Sequence, residues 1–158
     1  CQMANYSTRT EEISTGSIYK NYQRLVHNCK MYVNLLVLSV CLLGCSIPIY
    51  WAELDGRGNS NTEQRKELLG RFVTELGAER IDCLLADREF IGEDWFQYLI
   101  QAGINFVVRV KSNMWIEADG NIIKTGSLFN NVSQGGMLTY KIKLDGILLL
   151  AQATKSGC

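Results

Sequence analysis

Val33 to Trp51, VNLLVLSVCLLGCSIPIYW, is the stretch that most limits what this chain can fold into. It is about as long as a bilayer-crossing helix, which needs roughly 20 apolar residues. Asn34, Ser39, Ser46 and Pro48 interrupt it, Gly44 lies near its middle, and Val and Ile recur. That pattern suits two buried strands joined near Leu43 to Ser46. The two readings exclude each other: a helix here anchors the chain in lipid, whereas a hairpin begins a sheet.

The flanking residues supply the rest of an α/β pattern. Residues 1–31 are polar, with Ile18, Tyr22, Leu25 and Val26 at helix-like spacing, and are expected to form a helical arm. DGRGNSN, Asp55 to Asn61, is a loop of turn formers, and Ser60 with Glu63 has the pattern of a capping box opening a helix. Leu68, Phe72 and Leu76 then make one apolar stripe and Leu69 and Val73 the adjoining one, with Gly77 where a left-handed residue ends a helix. A strand over Ile81 to Ala86, a turn at DREF, a helix near Glu93 to Ala102 and a strand over Ile104 to Val110 follow. Trp95, Phe96, Leu99 and Ile100 share one side of that second helix. Strand, helix and strand at these lengths predict a right-handed parallel crossover, so Asp87 leaves the carboxyl end of a central strand. Further on, WIEADGNIIK and KIKLDGILLLA each place Asp-Gly between apolar or alternating runs, which predicts a small antiparallel β region. The expected organisation is a helical arm over 1–31, a core over 32–113 and a β-hairpin region over 114–158, with no linker and no internal repeat.

Composition narrows the function. The chain has 158 residues and a 47% hydrophobic fraction, enough to bury a core and too apolar for a disordered tail. Lys+Arg and Asp+Glu are equal at 16 each, so any nucleic-acid contact must come from a local patch. Six cysteines show no CxxC pair, and Cys41, Cys45 and Cys83 lie in apolar runs, which points to reduced thiols in a cytoplasmic protein. One histidine, His27, leaves no basis for a histidine-rich metal site or a histidine triad. No basic stretch leads into an apolar core and a small-residue cleavage site, so no signal peptide is indicated.

Three places hold residues suited to chemistry. GRGNSN lies between a strand and a helix like a dinucleotide-binding loop, but Asn61 stands where the third glycine belongs, and an ordinary turn explains it. LLADREFIGEDWF puts Asp87, Arg88 and Glu89 straight after a strand, where open α/β sheets keep their ligands. Metal-assisted phosphoryl chemistry requires carboxylates from separate strands to converge on a cation. Asp87 qualifies by position. Asp82 emerges on the opposite face, and Glu89, Glu93 and Asp94 suit a helix N-terminus. The alternative is a turn carboxylate paired with Arg88. RVKSNMW, Arg109 to Trp115, combines cations with an aromatic ring, as groups that hold phosphates and stack a base do; a solvated strand end has the same composition.

LLADREFIGEDWFQYLIQAGINFVVRVKSN closely resembles the second-aspartate region of DDE transposases of the insertion-sequence-4 family, with its ADREF block, W-F pair, G-I-x-F and R-x-K-x-N tail. IPIYWAELDGRGNSNTEQRKELLGRFV and GILLLAQAT are similar to its neighbouring parts, so the likeness runs from about Tyr32 to Thr154. The resemblance implies a ribonuclease-H-like α/β fold: a mixed sheet, flanking helices and a C-terminal antiparallel β insertion. It also implies Mg2+ (or Mn2+) held by an Asp, Asp and Glu triad, and cleavage and strand transfer of DNA at transposon ends. Asp87 corresponds to the second acid and metal ligand, Arg88, Glu89 and Phe90 to the rest of its motif, and Arg109, Lys111 and Asn113 to the basic strand end near DNA. On this reading the apolar segment is a hairpin and no membrane is involved.

Two departures accompany the likeness. The family's first aspartate lies in an L-D-R-T-x-W segment, and here Tyr22 stands near that position with no aspartate between Cys1 and Glu53. SIYKNYQR is similar to a still earlier part, which suggests an internal deletion joining near Cys29 to Tyr32. The third acid belongs to a Y-x-x-R-x-x-x-E helix, and the sequence reaches Cys158 without one. The expectation is therefore an incomplete fold that binds Mg2+ weakly through one acid and does not cut DNA alone. Without its first catalytic strand and last helix, the sheet is expected to expose an edge and a face, favouring homo-oligomers. The competing reading is a non-catalytic DNA-binding or interaction module.

Overall fold

The computed structural model describes residues 16–20, 33–55 and 58–155, with backbone alone for 16–20. Two compact units emerge, one spanning Glu12–Arg109 and the other running from Val110. In the first, the apolar segment is a hairpin: β2, Leu35–Leu42, pairs antiparallel with β3, Cys45–Glu53. Leu43 and Gly44 turn the chain with φ of 51° and 78°, the positive values that a tight two-residue hairpin requires at both centres. No helix among the described residues is long and apolar enough to cross a membrane. Pro48 sits on β3, an edge strand where its missing N–H leaves no ladder bond unmade, and the register slips at Leu38/Ser39 in a bulge.

The sheet order is β3-β2-β1-β4-β5. Gly16–Lys20 forms β1, which runs antiparallel to β2 and parallel to β4, Leu84–Ala86. This corrects the helical arm expected over 1–31 at the residues described, the remainder of that arm lying outside them. The spacing of Ile18, Tyr22, Leu25 and Val26 suggests a helix, but the strand gains β2 as a partner along all of GSIYK and β4 as a second partner along Gly16–Ile18, pairing that a marginal isolated helix lacks. It also corrects the exposed edge expected from loss of a first strand, since β1 fills the middle of the sheet. Leu36, Val37, Leu38 and Ser39 are buried in succession, so both faces of β2 are covered, whereas Trp51 on β3 and Val107 on β5 stay exposed, at 61% and 51%, so the bare face expected persists at the two edge strands.

Helix α1, Thr62–Leu76, has its cap one residue later than expected. Asn61, not Ser60, is the N-cap: its side chain accepts from the Gln64 N–H and the Gln64 side chain accepts from the Asn61 N–H, each at 2.9 Å. Asparagine outranks most residues at this position, and the box contributes about 1 kcal/mol. The buried stripe is Arg65, Leu68, Leu69 and Phe72, with Leu76 exposed. Gly77 closes the helix with φ 91° and ψ 147°, a positive φ outside the left-handed helical region expected. The chain then makes a short 3-10 turn, β4, helix α2 (Glu93–Gln101) and β5, Phe106–Val108. β4 and β5 are parallel, as the crossover pattern predicts. Trp95, Phe96 and Leu99 are buried, while Ile100, expected beside them, faces solvent.

The second unit is an antiparallel sheet of order β7-β6-β8-β9. Its strands are β6, Trp115–Ala118; β7, Asn121–Lys124; β8, Met137–Leu144; and β9, Ile147–Thr154; the single helical turn α3, Thr125–Leu128, follows β7. Both Asp-Gly pairs lie at hairpin turns, with Asp119, Gly120, Asp145 and Gly146 all at positive φ. Ile116, Ala118, Ile142 and Leu144 alternate inward with polar or exposed neighbours.

Candidate functional site

Asp87 is the first residue beyond β4, a strand whose Leu84 is fully buried. Phe90 N–H donates to the Asp87 carbonyl at 2.9 Å, which closes Asp87–Phe90 into a turn. Asp87 Oδ1 accepts from the Arg88 N–H at 2.8 Å. The expected partnership with Arg88 therefore exists through the backbone, and the ionic partner is a different residue. Arg109 directly follows β5, where its N–H donates to the Ala86 carbonyl at 3.1 Å, and its Nη1 lies 4.0 Å from Asp87 Oδ1. Adjacent parallel strands thus deliver an acid and a base to the same end of the sheet. Both side chains are about half exposed, at 50% and 48%, so the pair contributes well under about 1 kcal/mol.

Beneath this turn lies a residue that sequence reasoning passes over. Arg65 occupies the inward stripe of α1 and is 5% exposed. Its Nε donates to Ser60 Oγ at 3.0 Å, and Nη2 donates to the carbonyls of Ser60 at 2.6 Å and Glu89 at 3.1 Å. The guanidinium also stands 4.8 Å from the centre of the buried Phe90 ring. Burial pulls the Arg65 pKa down, and the Glu89 charge partly restores it; arginine stays protonated. The available sequence signal was positional: Arg65 precedes Leu68, Leu69 and Phe72 at helical spacing, on the same face.

The other sequence candidates divide. Arg88 is exposed on the turn, and Asp82 is exposed with its carbonyl accepting from the Asn105 side chain. Glu93 and Asp94 fill the first turn of α2, where Gly92 offers no side-chain cap and carboxylates suit the helix dipole. Lys111 and Asn113 belong to the second unit, both exposed, with the Lys111 carbonyl accepting from Met114 N–H at 3.2 Å. Trp115 is exposed there too, with Lys124 Nζ 5.4 Å from its ring centre. The GRGNSN loop ends in the capping box of Asn61, which occupies the helix N-terminus that a nucleotide phosphate would require.

Among the described residues, no group of three or more His, Cys, Asp or Glu side chains converges as a metal site requires. Asp87 has Arg109 and the Arg88 N–H as its partners. A divalent cation prefers several hard oxygens, and these residues do not fit one as they stand. A family model described as Transposase DDE domain matches residues 13–149. No curated protein matches the chain.

Proposed function

The chain belongs to the transposase DDE domain family, and from that premise we propose that it is the part of an insertion-sequence-4 type transposase that carries the second catalytic acid, Asp87. Transposases bind DNA, and this family generally uses divalent metal ions. The single observation that carries the reading is the placement of Asp87 at the carboxyl end of β4, beside the central β1 in the order β3-β2-β1-β4-β5. That order, antiparallel through β1 and parallel from β1 to β5, supports a ribonuclease-H-like core. In the proposed intact site Asp87 would be one of three acids holding Mg2+ or Mn2+ at transposon ends, the other two being the Asp and Glu whose motifs this sequence does not show. Arg88 and Arg109 contact the DNA backbone in this proposal, and Lys111 and Asn113 of the second unit are proposed as DNA contacts in their own right. Homo-oligomerisation and a cytoplasmic setting accompany this proposal.

The geometry supports inactivity of the chain by itself, because Asp87 is paired with Arg109 and, among the described residues, no cluster of three or more acidic or metal-ligating side chains forms. Incubated with supercoiled plasmid and Mg2+ or Mn2+, the 158-residue chain is expected to leave the plasmid unnicked. Nicking that Asp87→Ala abolishes would overturn the claim of inactivity. The same ion pair favours a second reading, a non-catalytic DNA-binding module. In that case a salt-dependent gel shift survives Asp87→Ala and disappears when Arg109 and Lys111 are reversed to Glu. Absence of any shift at low salt removes it.

A further inference from the structure

Asp87 is carried on a turn, and a turn at the end of a three-residue strand has little of its own to fix its direction. Its near end is tied to β5 through Ala86 and Arg109. Its far end, Glu89 and Phe90, is tied to α1 through Arg65. We infer that Arg65 is a positioning residue, which sets the direction of the Asp87 carboxylate by clamping the Glu89 carbonyl and the Phe90 ring from below.

Three features support this. The guanidinium bonds to two segments far apart in sequence, the end of the 55–61 loop and the Asp87–Phe90 turn, so it fixes one against the other. A planar fork can hold two carbonyls and a hydroxyl at once while stacking on a ring; a lysine ammonium cannot match that geometry. Finally, an arginine in the inward stripe of α1 costs desolvation that leucine would avoid. Its cost is offset only by the contacts it makes to Ser60, Glu89 and Phe90. Because the closing bond of the turn runs from Phe90 N–H to the Asp87 carbonyl, displacement of Phe90 is transmitted to Asp87.

The inference rests on the reading of Asp87 as the acid of the site, and its test examines the turn itself, so that absence of DNA activity counts against that reading alone. The full chain and its Arg65→Lys variant are compared by amide hydrogen exchange and by the Arg88 amide resonance, which reports the bond from Arg88 N–H to Asp87 Oδ1. Arg65→Lys is expected to speed exchange at Phe90 on the order of tenfold while Leu38 and Leu99 keep their protection. The Arg88 resonance is expected to move towards its position in Asp87→Ala. Exchange rising uniformly across core and turn would make Arg65 merely structural and overturn the inference, as would an unchanged Phe90 and Arg88 in a folded variant. Should Arg65→Lys not fold, Ser60→Ala removes only the acceptor of Nε. Selective loosening of Phe90 and Arg88 in that variant supports the inference, and unchanged signals refute it.

Discussion

The two units differ in how far a second layer covers their sheets, although each leaves some large apolar side chains in solvent, Trp51 of the first among them. In the first, Phe90, Trp95 and Phe96 are 0–1% exposed, whereas in the second Trp115 is 62% and Leu148 72% exposed. The first unit lays α1 against β2 and β3 and stacks Phe96 of α2 on Phe106 of β5, giving the strands a second layer to pack on. The second has a sheet with one inward face, and its register sets Lys143 across from Leu148 and Lys141 across from Leu150 on the other. Alternating sequence decides which side chains share a face, but burial requires a layer to receive them. The first unit is therefore held by packing between distant segments, and the second depends more on its turns.

The sharpest way to break this contrast is truncation in each unit. Trp95→Ala is expected to cost about 3–5 kcal/mol in urea unfolding, while Leu148→Ser stays within about 0.5 kcal/mol. Equal losses would mean that Leu148 is covered in solution. A smaller effect tests the dependence on turns. Gly146 holds φ of 81°, and Gly146→Val should destabilise the β8–β9 hairpin by about 1–2 kcal/mol, visible as lost cross-strand contacts between Lys143 and Leu148. If those contacts persist, packing holds the second unit as well.

The finest effect is one of pH in the first unit. The Tyr50 hydroxyl donates to the Glu75 carboxylate, and that bond, with burial and the Glu75 charge, raises the Tyr50 pKa above its usual 10.0. The folded chain then holds the phenol proton more tightly than the unfolded chain. The contribution is complete below the usual tyrosine range and declines as pH rises through it. Tyr50→Phe should flatten that alkaline decline in thermal melts, and an unaltered slope would show that the hydroxyl plays no part.

Local signals were the legible ones. Asp119-Gly120 and Asp145-Gly146 announce their turns because positive φ favours those residues wherever they sit, and the apolar segment shows its hairpin through Gly44 and Pro48. The capping box was misplaced by one residue because Ser60 and Asn61 are both good caps, and only the Arg65 contacts show that the Ser60 hydroxyl is engaged elsewhere. Strand β1 was illegible for a different reason. Its partners, β2 and β4, are set by tertiary pairing that no five-residue window contains. At the candidate site, Asp87 was readable from strand and turn, whereas its pairing with Arg109 needed the parallel register of β4 and β5. Arg65 was hidden because a charged residue in a helix is ordinarily solvated.

The position of β1 bears on how this chain comes to its fold. Gly16 pairs with Val40 on one side and with Leu84 on the other, so the earliest strand described is completed by one of the later strands of its unit. During synthesis, the β2–β3 hairpin and α1 are available long before Ala86 has emerged, and until then β1 presents an unpaired edge. Pairings of such long sequence separation are slow to form. The interval between emergence of β1 and arrival of β4 is thus the period in which this unit is most open to pairing with the wrong strand, its own or a neighbour's.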